Sequence, residues 1–194
     1  MGGYVETLKI KKADLNCDLG ISQPEFPKYW TGNMANQYSQ GTRAKHVGQM
    51  SDLIQEFNGN SYSEWVAWYT AKMPDAIDIA TDRTHLKLIE MGITWIPHHS
   101  VKIWVEDLVL AKTYVGLKVQ ASILTRLATL YDTSWRLARP EEESLGIDGY
   151  VGKTPISVKP MSYKQNALNE IIDVALVYYE KNSNGITVEY DPMD

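Results

Sequence analysis

Gly146-Ile147-Asp148-Gly149-Tyr150-Val151-Gly152-Lys153-Thr154-Pro155-Ile156-Ser157-Val158-Lys159-Pro160 contains two short apolar runs, Gly146 to Val151 and Pro155 to Pro160, bounded by Gly and Pro as strands are. A hairpin turning at Lys153 and Thr154 pairs Gly152 with Pro155, Val151 with Ile156, Tyr150 with Ser157, and Asp148 with Lys159. Directly opposed residues lie roughly 4.5–5.5 Å apart at Cβ, so an acid faces a lysine, and alternation puts Ser157 on the same face. Ile147, Val151, Ile156 and Val158 point to the other face, the pattern of a core strand pair with a polar site on one side. The Lys-Thr turn lacks the Asn-Gly or Asp-Gly chemistry that two-residue loops prefer, which leaves the register free to slip.

A carboxylate beside a lysine suits phosphodiester hydrolysis. The acid holds Mg²⁺, and the lysine orients water or stabilises charge developing on the phosphoryl oxygens. Mg²⁺ is commonly held by one or two carboxylates together with waters and substrate phosphate. Glu141-Glu142-Glu143, just before the first strand, offers a second acid. The same residues also suit an ordinary cross-strand ion pair and a solvated acidic loop, and geometry alone leaves both readings open.

Upstream, residues 1 to 44 carry turn punctuation (Gly20, Pro24, Pro27, Gly32, Asn33, Gly41) and little periodicity, so they read as an irregular arm. Apolar residues at helical spacing predict a helix from Ala44 to Phe57, with Gly59 as a stop. Ser61 and Glu64 form an S-x-x-E capping box for a second helix that Pro74 ends. A third runs from Asp75 to Met91, with Gly92 following. Ser100 to Tyr131 reads mostly as helix divided at Gly116, and Val119, Ile123, Leu124, Leu127 and Leu130 form a core-facing stripe on its second half. Beyond the hairpin come a helix from Ser162 to Ile172 and strands at Val174 to Glu180 and Ile186 to Tyr190, joined by a turn from Asn182 to Gly185. Helices followed by strand, strand, helix, strand, strand argue for α+β or α/β, within a single domain of 194 residues.

The I-D148 step, the short turn and Ser157-Val158-Lys159 resemble the PD-(D/E)xK nuclease signature, with Ile147 in place of proline and Ser157 in place of the second acid. With Asp107-Leu108-Val109, Lys112-Thr113-Tyr114, Gly116-Leu117, Val119-Gln120, Ile123-Leu124, Gly146-Ile147-Asp148-Gly149, Val158-Lys159-Pro160 and Tyr163, the chain resembles the MjaI family of type II restriction endonucleases over roughly residues 100 to 190. The resemblance implies an α/β restriction-endonuclease-like mixed sheet flanked by helices. Residues 100–194 would be the nuclease core and residues 1–99 a mainly helical and irregular N-terminal part. It also implies Mg²⁺-dependent cleavage of both strands of double-stranded DNA at a short palindromic site by a homodimer, since two-fold DNA is met by a two-fold protein. Family members are associated with the site CTAG, and a companion DNA methyltransferase acting on the same site is an expected partner. Asp148 would be the metal ligand, Lys159 the catalytic lysine and the Val158 carbonyl a further ligand. Ser157 departs from the pattern, so the missing acid is expected from Glu143 or Glu142, while Gln120 offers only a neutral ligand. The rival expectations are a structure-specific repair or junction nuclease and a non-enzymatic helical DNA-binding module.

Composition sets the outer bounds. Apolar residues make up 44% and charged residues 22%, which excludes a disordered or fibrous chain. The single Cys17 excludes a disulfide framework and a Cys-rich zinc site. No signal-peptide core and no run of about 18 apolar residues is present, so the expectation is a cytoplasmic protein. The net charge of −5 argues against a nucleic-acid partner until it is divided. Lys102 to Lys164 holds nine basic and seven acidic residues, a net of +2, which leaves −7 for the remainder. Lys112, Lys118, Arg136, Arg139, Lys153 and Lys164 are candidates for phosphate contact.

Other motifs fail. Gly149 to Thr154 ends in Gly-Lys-Thr, but Ile147 stands where a P-loop needs its first glycine and Pro155 where its helix begins. His98 and His99 are adjacent and do not converge on one metal, so they read as a loop pair, with His46 and His85 as surface residues. Six tryptophans, with Trp65 and Trp68 at helical spacing, read mainly as core.

Overall fold

The structure, a computed structural model, describes residues 5–15, 32–59, 61–166 and 174–193. Cys17, Trp30, much of the expected N-terminal arm and residues 167–172 of the expected helix after the hairpin lie outside these. In chain order the elements are β1 (Glu6–Lys11), a 3-10 turn (Lys12–Leu15), α1 (Gly32–Ser39), α2 (Ala44–Val47), α3 (Met50–Glu56), α4 (Tyr62–Lys72), α5 (Ala76–Glu90) and α6 (His98–Glu106). A π-helical stretch (Asp107–Lys112) leads into α7 (Thr113–Leu130), followed by β2 (Trp135–Leu137), α8 (Pro140–Glu143), β3 (Gly149–Val151), β4 (Thr154–Pro160), α9 (Tyr163–Asn166), β5 (Ala175–Asn182) and β6 (Gly185–Tyr190). The fold is α/β, a mixed sheet with helices that crowd the N-terminal half.

The chain divides into two compact units. One comprises Gly20–Gly116, and the other Met1–Leu19 with Leu117–Asp194. In the first, Phe57 packs on Trp65 with ring centroids 5.5 Å apart, and Trp65 and Tyr69 are fully buried. The Tyr69 hydroxyl donates to the Val47 carbonyl at 2.9 Å, which satisfies the one polar atom that side chain brings inside. The capping box is present as expected, with Glu64 N–H donating to Ser61 Oγ and Ser61 N–H to Glu64 Oε2. The run expected as one helix from Ala44 to Phe57 is two, parted at Gly48, whose φ is 79°.

Gly116 does not divide the long helical stretch. It lies inside α7, and the irregularity comes earlier, in the π-helical turn. There the Asp107 carboxylate, 2% exposed, meets Lys112 Nζ at 3.0 Å. His98 and His99 open α6 instead of lying in a loop. His98 Nε2 sits 2.7 Å from Asp82 Oδ1, and its ring packs edge-on against the half-buried His85.

The second unit is a six-stranded sheet in the order β1-β6-β5-β4-β3-β2. All pairs are antiparallel except β4 with β5, which run parallel. Ile10, Ile156, Val158, Val177, Ile186 and Val188 are buried in the sheet, and Val119, Ile123, Leu124 and Leu127 are buried on α7. Leu130, expected on the same stripe, is 58% exposed at the helix end. Leu124 presses so close to β3 that a Cβ at Gly149 would collide with it and would lie 2.7 Å from the Arg136 carbonyl oxygen. The stretch expected as an irregular arm holds the helix α1 at Gly32–Ser39. Two strands were not expected either. β1 alternates Leu8 and Ile10 with Thr7, Lys9 and Lys11, a period-two pattern overshadowed by the loop punctuation after it. β2, three residues long, is too short to show any period.

The hairpin register differs from the expected one. The observed pairs are Gly149 with Ile156, Tyr150 with Pro155, and Val151 with Thr154, so the turn residues are Gly152 and Lys153. Gly152 adopts a φ of 59°, the left-handed conformation a tight hairpin turn needs and one that Lys-Thr would adopt only with strain. The pairing has slipped by two residues. Side chains alternate with a period of two, so every residue keeps its face.

Candidate active site

Asp148 stands one residue before β3 and is fixed through its backbone on both sides. Its N–H donates to the Ile156 carbonyl at 2.8 Å, and its carbonyl accepts from Ala138 N–H at 3.1 Å. β4 lies next to it in the middle of the sheet, with Ile156 and Ser157 fully buried and Val158 5% exposed. Two strands anchored in this way hold the polar atoms between them in place.

The Asp148 carboxylate is the hub. Oδ2 accepts from Val158 N–H at 2.7 Å, lies 3.4 Å from Ser157 Oγ, and is 3.6 Å from Lys159 Nζ. Oδ1 accepts from Gln120 Nε2 at 3.0 Å, reached from α7. With the slipped register Lys159 is no longer directly opposite Asp148, yet the two remain on one face and in ionic reach. Their side chains are 20% and 24% exposed, enough for a substrate to approach and little enough to limit screening by water. Lys159 Nζ also lies 6.0 Å from the centre of the Tyr163 ring. Burial, with the charge of Asp148 adding to it, pushes the Tyr179 hydroxyl above its ordinary range. No periodicity in the sequence pointed to Tyr179, since its position follows from the parallel β4–β5 pairing.

The other expected residues fall in different settings. Glu142 is held by Arg136 in a two-pronged pair, NH1 to Oε2 and NH2 to Oε1, both 2.7 Å. Arg139 N–H adds a bond at 2.8 Å, and these partners, Arg136 first, bring the Glu142 carboxyl down to about 2. Arg136 in turn lies 4.0 Å over the Tyr150 ring. Glu143 ends α8, half-buried. Lys164 bonds Glu189 at 2.7 Å and sits over Tyr178, while Lys153 is exposed at the hairpin turn. Lys118 is two residues before Gln120 on α7, about 200° round the helix axis, so it faces away from Asp148. It lines a groove of about 610 Å³ with Lys9, Lys11 and Arg126. Lys112 belongs to the Gly20–Gly116 unit, where it pairs with Asp107.

Val158 and Gln120 turn N–H groups, and Lys159 its ammonium, towards Asp148; the oxygens at hand for a cation are the carboxylate itself, the Ser157 hydroxyl and those of the Gln120 amide and the Val158 backbone. That is the chemistry of a hard cation such as Mg²⁺, which accepts few protein ligands and keeps several waters. Among the described residues no three His, Cys, Asp or Glu side chains are grouped to hold a metal by themselves.

The profile of the MjaI restriction endonuclease family matches residues 30–188. The type II restriction enzyme MthZI of Methanothermobacter thermautotrophicus is 45% identical over 167 residues, covering 82% of this chain and 82% of that protein. The type II restriction enzyme MjaI of Methanocaldococcus jannaschii is 41% identical over 185 residues, covering 89% and 83%. No solved structure matches the chain significantly. The family match extends well upstream of the stretch whose motifs were legible by eye, taking in α1 and the aromatic core as well as the Asp148 site. This chain therefore belongs to the MjaI restriction endonuclease family.

Proposed function

We propose that this protein is a type II restriction endonuclease that hydrolyses phosphodiester bonds in double-stranded DNA at a short palindromic site with Mg²⁺ as cofactor, on a PD-(D/E)xK-type site in the part from residue 100 onward. The observation that carries this is Asp148, one residue before β3, at 3.6 Å from Lys159 on the adjacent strand β4, in a chain of a restriction endonuclease family. CTAG is the site to test first. A homodimer matching the symmetry of the DNA, a cytoplasmic location and a companion methyltransferase protecting the same site complete the proposal.

Asp148 would hold the cation with the Val158 carbonyl, and Glu143 would supply the second acid that Ser157 does not. When bound, the cation polarises the scissile phosphate and lowers the pKa of a coordinated water. Lys159, a point charge on a flexible stem beside the carboxylate, orients the attacking water and stabilises the charge that develops on the phosphoryl oxygens. Val158 N–H and Gln120 Nε2 fix the carboxylate before substrate arrives, so little reorganisation is left for the reaction. Arg139, Lys153, Lys164, Lys118, Arg136 and Lys112 remain the candidates for phosphate contact. Of these, Lys153 has no ion pair among the described residues.

The test is plasmid DNA carrying CTAG incubated with Mg²⁺ and wild type, Asp148→Ala or Lys159→Ala protein. Discrete fragments from wild type and none from folded variants are expected, a loss of at least ~10³-fold. Inert, folded wild type across metals and salt concentrations would sink the proposal, as would cleavage confined to branched DNA.

A further inference from the structure

We propose that the groove between β1 and α7 is a second DNA site, which holds the phosphate backbone of a DNA segment other than the one presented to Asp148. The inference rests on the reading of this chain as a DNA-cleaving enzyme. The groove, of about 610 Å³, lies wholly within the unit that carries the sheet. Four of its eleven lining residues are cationic, Lys9 and Lys11 from β1 with Lys118 and Arg126 from α7, against a single carboxylate, Asp14. Lysine and arginine make up only 19 of the chain's 194 residues, so the concentration is local. Lys9, Lys11 and Arg126 are exposed and hold no ion pair among the described residues. The 18 residues of α7 contain no Asp or Glu. An exposed helix face ordinarily sets acids beside its cations at i, i+4, whereas here Ser122 stands between Lys118 and Arg126, four residues from each. The Ser122, Thr125 and Thr129 hydroxyls donate to carbonyls, so the attraction for an anion comes from the cations.

The shape fits an extended polyanion. Lys118 and Arg126 are eight residues apart, about 12 Å along the helix. That is the axial length of roughly three nucleotides of one strand. A neighbouring concavity of about 760 Å³ shares Lys9 and Lys11 and adds Lys12, which carries the cationic lining round the edge strand to the turn between β5 and β6. Lysines on an edge strand also deter pairing between molecules. That role explains Lys9 and Lys11 alone and gives no reason for Lys118 and Arg126 across the groove. The segment held here is not the one at Asp148, because the two places lie on opposite sides of α7. Gln120 reaches Asp148 from one side. Lys118 and Ser122, each two residues from Gln120, are about 200° of helical turn away from it. Ser122 Oγ lies 3.1 Å from the Leu15 carbonyl oxygen, which ties the 3-10 turn to that far side. With its side chains a helix is ~10–12 Å thick, so a straight duplex against Asp148 does not reach round it.

The experiment titrates full-length protein with a short labelled duplex carrying CTAG, in Ca²⁺, for wild type, Asp14→Asn and the triple variant Lys9→Gln/Lys11→Gln/Arg126→Gln, read by fluorescence anisotropy. Stoichiometry is taken at protein concentrations far above Kd, and a melting curve checks that each variant is folded. Wild type should saturate with one duplex per chain more than the triple variant. The additional binding should weaken with salt by a logarithmic slope of about 0.9 for each phosphate contacted. Asp14→Asn should tighten it several-fold, a sign that a folding defect would not give. Equal stoichiometry with a flatter slope in the triple variant would put the three cations on the duplex at Asp148 and overturn the second site. Unchanged stoichiometry and slope would leave them protecting the sheet edge and overturn it as well. Displacement of the additional duplex by inorganic triphosphate, as effective as by unlabelled DNA at equal phosphate concentration, would mean a site for a compact anion and overturn the proposed occupant. Wild type that binds no duplex at all overturns the DNA reading beneath the inference.

Discussion

Both oxygens of the Asp148 carboxylate are engaged, and the distances show which partner matters for what. The Val158 N–H bond at 2.7 Å is short and charge-assisted, whereas Lys159 at 3.6 Å is close enough for attraction and too far for a hydrogen bond. The lysine is therefore held near the acid without being consumed by it. Glu142 shows the opposite condition, with both oxygens saturated by Arg136. A carboxyl held at about 2 in the folded chain, against an ordinary 4.5, contributes stability that is present above pH 4.5 and lost as pH falls through 2. Glu142→Gln should accordingly lower the urea midpoint at neutral pH, and the gap from wild type should shrink below pH 4.5 and close near pH 2. A gap independent of pH would mean that Arg136 does not hold Glu142 in solution. Asp148 and Lys159 were legible in the sequence because a two-residue slip preserves the face of every side chain. The Arg136–Glu142 pair was not, because it depends on a strand of three residues that shows no period.

At the scale of elements, glycine separates what sequence can locate from what it cannot. Gly152 sets the hairpin turn and moves the register, while Gly116, expected as a break, sits in α7 with nothing within 4 Å of where a Cβ would be. A glycine inside a helix costs about 0.5–1 kcal/mol relative to alanine. Gly116→Ala should thus raise stability by about that amount, measured by urea denaturation with an unchanged m-value. A destabilised variant would show that the close packing of neighbours requires the glycine. The real irregularity, the π-helical turn at Asp107–Lys112, has no local signal in the sequence. Its composition is that of an ordinary helix, and the register change accompanies a buried acid paired with a lysine five residues on. The capping box at Ser61 and Glu64 was legible because it is a purely local exchange of hydrogen bonds.

For the whole molecule, the balance of charge sets how DNA would be met. A net charge of −5 opposes a polyanion at long range, so binding must rely on a local set of cations. The observed logarithm of the DNA binding constant should fall linearly with the logarithm of salt concentration, by about 0.9 per phosphate contacted. Lys153→Ala should flatten that slope by about one contact, read by fluorescence anisotropy on a labelled duplex in Ca²⁺. An unchanged slope would remove Lys153 from the interface. In the N-terminal half the helices from residue 44 on were legible, but α1 was not: residues 1 to 44 read as an irregular arm because Gly32, Asn33 and Gly41 punctuate a run of weak periodicity, yet Gly32–Ser39 is helical. The packing of Tyr69 on Val47, distant in sequence, was not legible either.

The outermost strand has a consequence for the order in which the molecule is made. β1 precedes every other strand in the chain and pairs with β6, which follows them all, Glu6 opposite Tyr190 and Lys11 opposite Gly185. On the ribosome the Gly20–Gly116 unit has every residue it needs long before the sheet does. Asp148 and Lys159 emerge while β1 still waits for its neighbour, and β5, which flanks β4, also waits for β6 to cover its other edge. A protein built this way completes its sheet only after β6 has emerged, so the strands around Asp148 and Lys159 are held at their final edge only then.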